Sequence, residues 1–271
     1  MKHMQKHVLL ILAALSIWGV APAKELRVVK PEDVGMSSAK LAKVDEVMKG
    51  LLAEKKLAGA IVAVARKGKV VHFGAYGKMD LKGDKPMRPG TIFRIYSMSK
   101  AIITAAALTL LEEGKYELDD PVSRYLPEFK EMTVWKDGKA VPVKKVMTVK
   151  HLMLHTAGLS YGFIGDGPVE QLYKKAKPTD RNGTLPNMIK TLSDIPLSFE
   201  PGTRWQYSVS IDVLGRLIEV WSGKKLEDFL DERILGPLDM KDTAFHVPKE
   251  KLDRFAANYG PDGPGKLRLI D

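Results

Sequence analysis

The run Ile92-Phe93-Arg94-Ile95-Tyr96-Ser97-Met98-Ser99-Lys100 passes straight into Ala101-Ile102-Ile103-Thr104-Ala105-Ala106-Ala107-Leu108 and closes at Glu112-Glu113-Gly114. An extended approach that meets a dense set of strong helix formers predicts a long apolar helix, with Gly114 placed for a left-handed cap. Ser97 and Lys100 stand three residues apart in the first turn, so both side chains lie on one face. A serine hydroxyl is a poor nucleophile until a neighbouring base takes its proton. Lysine is ordinarily charged, but burial disfavours the charged form and lowers its pKa. The apolar residues after Lys100 are expected to provide that burial. The helix N-terminus is expected to favour a developing negative oxygen beside Ser97.

Bare Ser-x-x-Lys is a weak signal, and the chain holds three copies. Ser37-Ser38-Ala39-Lys40 opens a helix crowded with Lys43, Asp45, Glu46 and Lys49, where serines act as N-caps and the lysine is solvated. Ser222-Gly223-Lys224-Lys225 closes a helix, where lysines suit the negative end of the dipole. Only the copy at Ser97 precedes an apolar face. On spacing alone, catalysis and an ordinary helix start both remain open there.

A chain of 271 residues, 45% hydrophobic and 28% charged, has the length and balance to bury a large core. Residues 1–23 read as a leader. Lys2, His3, Lys6 and His7 form a positive start, Val8 to Val20 an apolar core, and Ala21-Pro22-Ala23 a small-residue cleavage site. Export to a periplasm or beyond is therefore expected, with residues 24–271 as one sizeable domain. No later stretch is long enough to span a membrane. The absence of cysteine excludes disulfides and thiolate metal sites within this sequence. The net charge of +10 is scattered rather than gathered into a block, which predicts a solvated basic surface and no nucleic-acid partner.

Leu41, Val44, Val47, Met48, Leu51 and Leu52 recur at helical spacing and predict a helix from about Ser38 to Lys55. Gly59–Ala65 and Val70–Tyr76 read as a hairpin around Lys67-Gly68, and Met132–Trp135 with Ala140–Val143 as a second around Asp137-Gly138. Asp119-Asp120 reads as a turn and cap. Thr148 reads as the cap of a short helix carrying His151 and His155. A long loop from Ser160 to about Pro186, with one helical patch near Gln171, is of the kind that carries function. Helices follow over Ile211–Trp221 and Leu226–Leu235, and two strands over Arg254–Tyr259 and Leu267–Ile270. The chain stops at Asp271 without a polar tail and is expected to be cut short. Together these elements predict an α+β fold, a mainly antiparallel sheet with a helical insertion.

His151 and His155 have the spacing of two zinc ligands on a helix, but Leu152 stands where the metalloprotease pattern needs Glu. Helix-end histidines facing solvent or a carbonyl are the expected reading. Trp205 and Trp221 read as packing residues. No metal and no cofactor are called for.

Several strings, taken in order, give the chain its likeness. Val34-Gly35-Met36-Ser37-Ser38 precedes the first helix, and Phe93 to Tyr125 surround Ser97-Met98-Ser99-Lys100. His151-Leu152-Met153-Leu154-His155-Thr156-Ala157-Gly158-Leu159, Tyr207-Ser208-Val209 and Leu235-Gly236-Pro237-Leu238-Asp239-Met240 follow. With these the chain resembles the serine β-lactamase and penicillin-binding superfamily on its class C side, and most of all the family VIII carboxylesterases. The likeness runs over about residues 33–260. It implies a β-lactamase/transpeptidase-like fold, an antiparallel sheet flanked by helices plus a helical subdomain. It implies Ser97 as the acylated nucleophile and Lys100 as the group that takes or shares its proton. Tyr207 would act with Lys100 as general base and then protonate the leaving group. Among eight tyrosines, spacing alone does not single out Tyr207.

Two departures from the family pattern bear on substrate. Val209 stands where the family usually has Asn, and valine cannot hydrogen-bond a substrate amide, so esters are expected over β-lactams. The family's further motif, on a strand that usually supplies an oxyanion-hole N–H, lies beyond this sequence. The resemblance thus implies an exported serine hydrolase acting through an acyl-enzyme on small esters. A class C-like β-lactamase or a D-alanyl-D-alanine carboxypeptidase is the alternative within the class. A catalytically silent ligand-binding relative is the alternative outside it.

Overall fold

A computed structural model of the chain describes residues 27–180 and 182–271, so the leader expected over residues 1–23 lies outside the described residues. In chain order the elements are α1 (Ser38–Ala53), β1 (Gly59–Arg66), β2 (Lys69–Asp80), β3 (Lys85–Pro86) and α2 (Ser99–Glu112). Then come β4 (Thr133–Lys136), β5 (Lys139–Pro142), α3 (Val149–Met153), α4 (Pro168–Ala176) and α5 (Leu185–Ser193). The series ends with α6 (Ser210–Ser222), α7 (Leu226–Leu230), β6 (Tyr259–Pro261) and β7 (Leu267–Leu269). The chain divides into two compact units. One holds the described residues up to Pro89 together with Ala257–Asp271, and the other holds Gly90–Ala256.

In the first unit, α1 begins where Ser37 accepts a hydrogen bond from the Lys40 backbone N–H, the capping read from sequence. β1 and β2 pair antiparallel from Gly59↔Gly77 to Arg66↔Lys69, with a register shift at Val64/Ala65. The turn lies at Lys67 and Gly68, both left-handed, as the expected hairpin requires. β3 adds a short third strand to β2, and β6 and β7 form a separate two-stranded ladder.

The second unit is built around α6, which packs against α2, α3, α5 and α7. Ile211, Val213, Leu214, Leu217 and Ile218 are all buried on it, and Ala106, Ala107 and Leu110 of α2 join the same core. Small alanines on one helix and branched chains on the other allow close approach without voids. Trp221 stacks on Tyr116 with centroids 3.9 Å apart, the packing role expected of it. The β4–β5 hairpin turns at Asp137 and Gly138, as expected.

Two stretches differ from the sequence reading. α5 was not expected: the loop was read as far as about Pro186, and no helix was placed after it. Thr184 accepts from the Asn187 N–H, and Pro186 sits in the first turn, where its missing N–H costs nothing. The helical patch near Gln171 is α4, as expected, with Pro168 at its start for the same reason. At the end, the strand expected over Arg254–Tyr259 is divided. Arg254 donates to Asp242 and to the Gly90 carbonyl, and Phe255 lies under the Arg94 guanidinium at 4.0 Å. Phe255 bridges Ile92 within the second unit, and the ladder begins only at Tyr259. No helix among the described residues is long and apolar enough to cross a membrane.

Candidate active site

Ser97 sits in a single 3-10 turn, Tyr96–Met98, one step before α2, rather than inside the helix. Tyr96 has φ 43°, a left-handed conformation uncommon for a bulky residue, and it delivers Ser97 exposed at the head of the helix. Lys100, one residue into α2, brings its Nζ to 3.3 Å from Ser97 Oγ.

The third residue arrives from far along the chain. Tyr207 precedes α6, and its phenol oxygen lies 2.5 Å from Ser97 Oγ. The structure thus brings Ser97, Lys100 and Tyr207 into one cluster. Val209, two residues on, is fully buried in the core at the start of α6. Its side chain packs into the core rather than onto an open surface.

The segment carrying Tyr207 is fixed by the His151–Leu159 string. The Gln206 N–H donates to the His155 carbonyl at 2.9 Å, and the Ser208 N–H donates to His155 Nδ1 at 3.3 Å. The His155 ring lies 4.9 Å from the Tyr207 ring. His155 is half-buried, and where the sequence reading had it facing solvent or a carbonyl its Nδ1 meets the Ser208 N–H and hydroxyl and its ring meets Tyr207. Burial, and then the charge of Lys100, holds its pKa below the ordinary value, which favours the neutral ring. His151 closes a capping box with Thr148, which gives it a structural part. Gly158 turns the string back with φ 85°, and a Cβ there would run into the Phe199 carbonyl oxygen.

Two further residues complete the cluster and were not read from sequence. The Lys100 Nζ lies 5.4 Å from the Tyr161 ring centroid, and the Tyr161 phenol donates to Asp212 at 3.4 Å. Tyr161 follows the Gly-Leu-Ser of the string in what read as loop. Asp212 is a lone acid in the first turn of apolar α6, where a helix-dipole role is the obvious reading.

The electrostatics correct the expectation for Lys100. Burial does act to lower its pKa, but the phenols of Tyr161 and Tyr207 outweigh it, and the ammonium is held above its ordinary value. The apolar residues of α2 serve the core, while Lys100 points among aromatic rings and oxygens. Tyr207 shifts the other way. Burial opposes ionisation, yet the Lys100 ammonium and the contact with Ser97 bring its phenol below the usual value. Burial raises the Asp212 carboxyl despite the Lys100 charge. The cluster therefore holds a charged lysine beside an acidified phenol, which in turn touches the serine hydroxyl.

Comparison with known proteins places the chain in a family. Residues 44–270 match the Beta-lactamase family. Esterase EstB of Burkholderia gladioli is 36% identical over 244 residues, covering 89% of this chain and 60% of that protein. Lovastatin esterase of Penicillium rubens is 30% identical, covering 83% of this chain and 58% of its own length. Among solved structures, EstCE1, described as a hydrolase with promiscuous acyltransferase activity, superposes with a TM-score of 0.76 at 34% identity. That match covers 86% of this chain and 60% of EstCE1. The chain thus spans about 60% of the length of these relatives.

Proposed function

The chain belongs to the beta-lactamase family, and from that premise we propose that it is a serine hydrolase that cleaves small carboxylic esters through an acyl-enzyme on Ser97. The observation that carries this reading is the 2.5 Å contact of Tyr207 with Ser97 Oγ, with the Lys100 ammonium beside both. The Tyr207 oxygen takes the hydroxyl proton as Ser97 Oγ attacks the ester carbonyl. Lys100 stays charged and stabilises the phenolate form of Tyr207, which makes it the partner of the base rather than the base. Collapse of the tetrahedral intermediate breaks the carbonyl–alcohol bond, and Tyr207 returns the proton to the departing oxygen. Water then repeats the sequence. Tyr207 takes a water proton, the hydroxide oxygen joins the acyl carbon, and Ser97 recovers its hydrogen as the acid leaves.

Turnover of a chromogenic short-chain ester, abolished by Ser97→Ala, tests this. Intact mass after a fluorophosphonate gives the complementary readout. An adduct that survives Ser97→Ala overturns the site, and no adduct on the unsubstituted chain favours a silent ligand-binding relative. The acyltransferase activity described for EstCE1 supports a second reading, in which an alcohol replaces water as acyl acceptor. We also propose export through residues 1–23, which N-terminal sequencing of the mature protein checks.

A further inference from the structure

Five rings form a continuous array in the second unit. Phe163 stacks on Tyr161 at 5.0 Å and 22°, and Tyr161 meets Tyr207 at 5.4 Å. On the far side of Tyr207, His155 lies at 4.9 Å, and Trp205 meets His155 edge-on at 6.4 Å. The three inner rings are half-buried, with the Lys100 ammonium over both tyrosines. The two outer rings are open, Phe163 at 72% and Trp205 at 64% exposure. Trp205 is therefore not the packing residue that its sequence context suggested. Single exposed aromatics are ordinary on a protein surface. Here the two stand at the ends of one array whose centre touches the nucleophile.

The chemistry of Tyr207 says which part of a substrate meets the array. A group that protonates a leaving oxygen must come within about 2.6–3.2 Å of that oxygen. Whatever is attached to the oxygen then extends past Tyr161 and His155, the ring neighbours of Tyr207, toward the outer rings, while the acyl chain extends from the carbonyl carbon bound to Ser97. We propose that Phe163 and Trp205 form the recognition site for the alcohol portion of the ester, and that they select flat aromatic alcohols over saturated ones of the same bulk. Offset and edge-to-face ring contacts favour a flat partner beyond the area they bury. Gly162 sets the array, because with φ 79° it turns the chain between Tyr161 and Phe163 so that the two rings stack.

This inference rests on Tyr207 as the acid for the leaving alcohol, and its test is independent of turnover. In the full chain carrying Ser97→Ala, calorimetry compares 2-naphthyl butyrate with decahydro-2-naphthyl butyrate. The two share an acyl group and a carbon skeleton but differ in flatness. The naphthyl ester is expected to bind about three- to tenfold tighter. That preference is expected to fall toward unity when Phe163→Leu or Trp205→Leu is added, since leucine keeps apolar bulk and removes the ring. Thermal midpoints equal to that of the parent establish that the variants are folded. No preference in the parent, or a preference that survives both substitutions, overturns the proposal. Selective binding without Ser97-dependent turnover in the unsubstituted chain would instead keep this inference and defeat the hydrolase reading.

Discussion

The phenol oxygen of Tyr207 is closer to Ser97 Oγ than the Lys100 ammonium is, at 2.5 Å against 3.3 Å, although Lys100 is three residues from Ser97 and Tyr207 is 110. That order of distances, with the opposite pKa directions of the two groups, supports the proposal that the distant residue is the proton acceptor and the near one its electrostatic support. Tyr207→Phe is expected to lower kcat for ester hydrolysis by about 10²–10⁴-fold, the usual worth of a general base, with the fold unchanged. Steady-state rates beside a thermal melt check this. Near-normal kcat would remove Tyr207 from proton transfer.

The pH profile of kcat/KM should distinguish the two cationic and anionic neighbours of Tyr207. Activity is expected to rise with pH as Tyr207 ionises, because in the proposed mechanism the phenolate is the base. Lys100 lowers the Tyr207 pKa and Asp212 raises it. Lys100→Met is therefore expected to move the rising limb to higher pH, and Asp212→Asn to lower pH. Shifts in the same direction for both variants would contradict the charge arrangement.

Asp212 also makes a stability prediction with a definite sign. Burial raises its carboxyl in the folded state, so the folded chain holds the proton more tightly than the unfolded one. The group's contribution is fully present below the unfolded pKa of about 3.9 and is lost as pH rises through the higher folded value. Asp212→Asn is expected to raise the thermal midpoint at neutral pH and to lose that advantage in acid. A neutral-pH midpoint lower than that of the parent would count against it.

Val209 gives a prediction about substrate range. With its side chain fully buried, Val209→Asn places an amide in the core rather than beside a substrate. We expect a loss of about 1–3 kcal/mol in stability from an unsatisfied buried group. No gain in β-lactam hydrolysis is expected. Denaturant unfolding and a chromogenic lactam assay test both halves.

Leu214 lies at the centre of the α6 core and is fully buried. Leu214→Ala is expected to cost about 2–5 kcal/mol, through lost burial and the cavity left behind. The same change at Leu269, which is 55% exposed, is expected to cost far less. Equal costs would mean that α6 does not organise the core.

Local chemistry alone determined much of this protein. The caps at Ser37 and Thr148, the turns at Lys67-Gly68 and Asp137-Gly138, and the apolar periodicity of α1, α2 and α6 are properties of neighbouring residues. The proximity of Ser97 and Lys100 is local in the same sense. Tyr207 was reached only through likeness to a family, because nothing within its own neighbourhood distinguishes it from other tyrosines. What the tertiary structure decided is everything that depends on chains meeting across the fold. Lys100 was expected to be neutralised by the apolar residues beside it, but those face the core while its ammonium meets Tyr161 and Tyr207. Asp212 entered the site because α6 packs on α2. His155 and Trp205 acquired their places from the Gln206–Ser208 segment folding back on the string before it. A pKa and an aromatic contact are set by what lies within a few ångströms in space, and sequence spacing fixes that distance only within a helical turn or a hairpin.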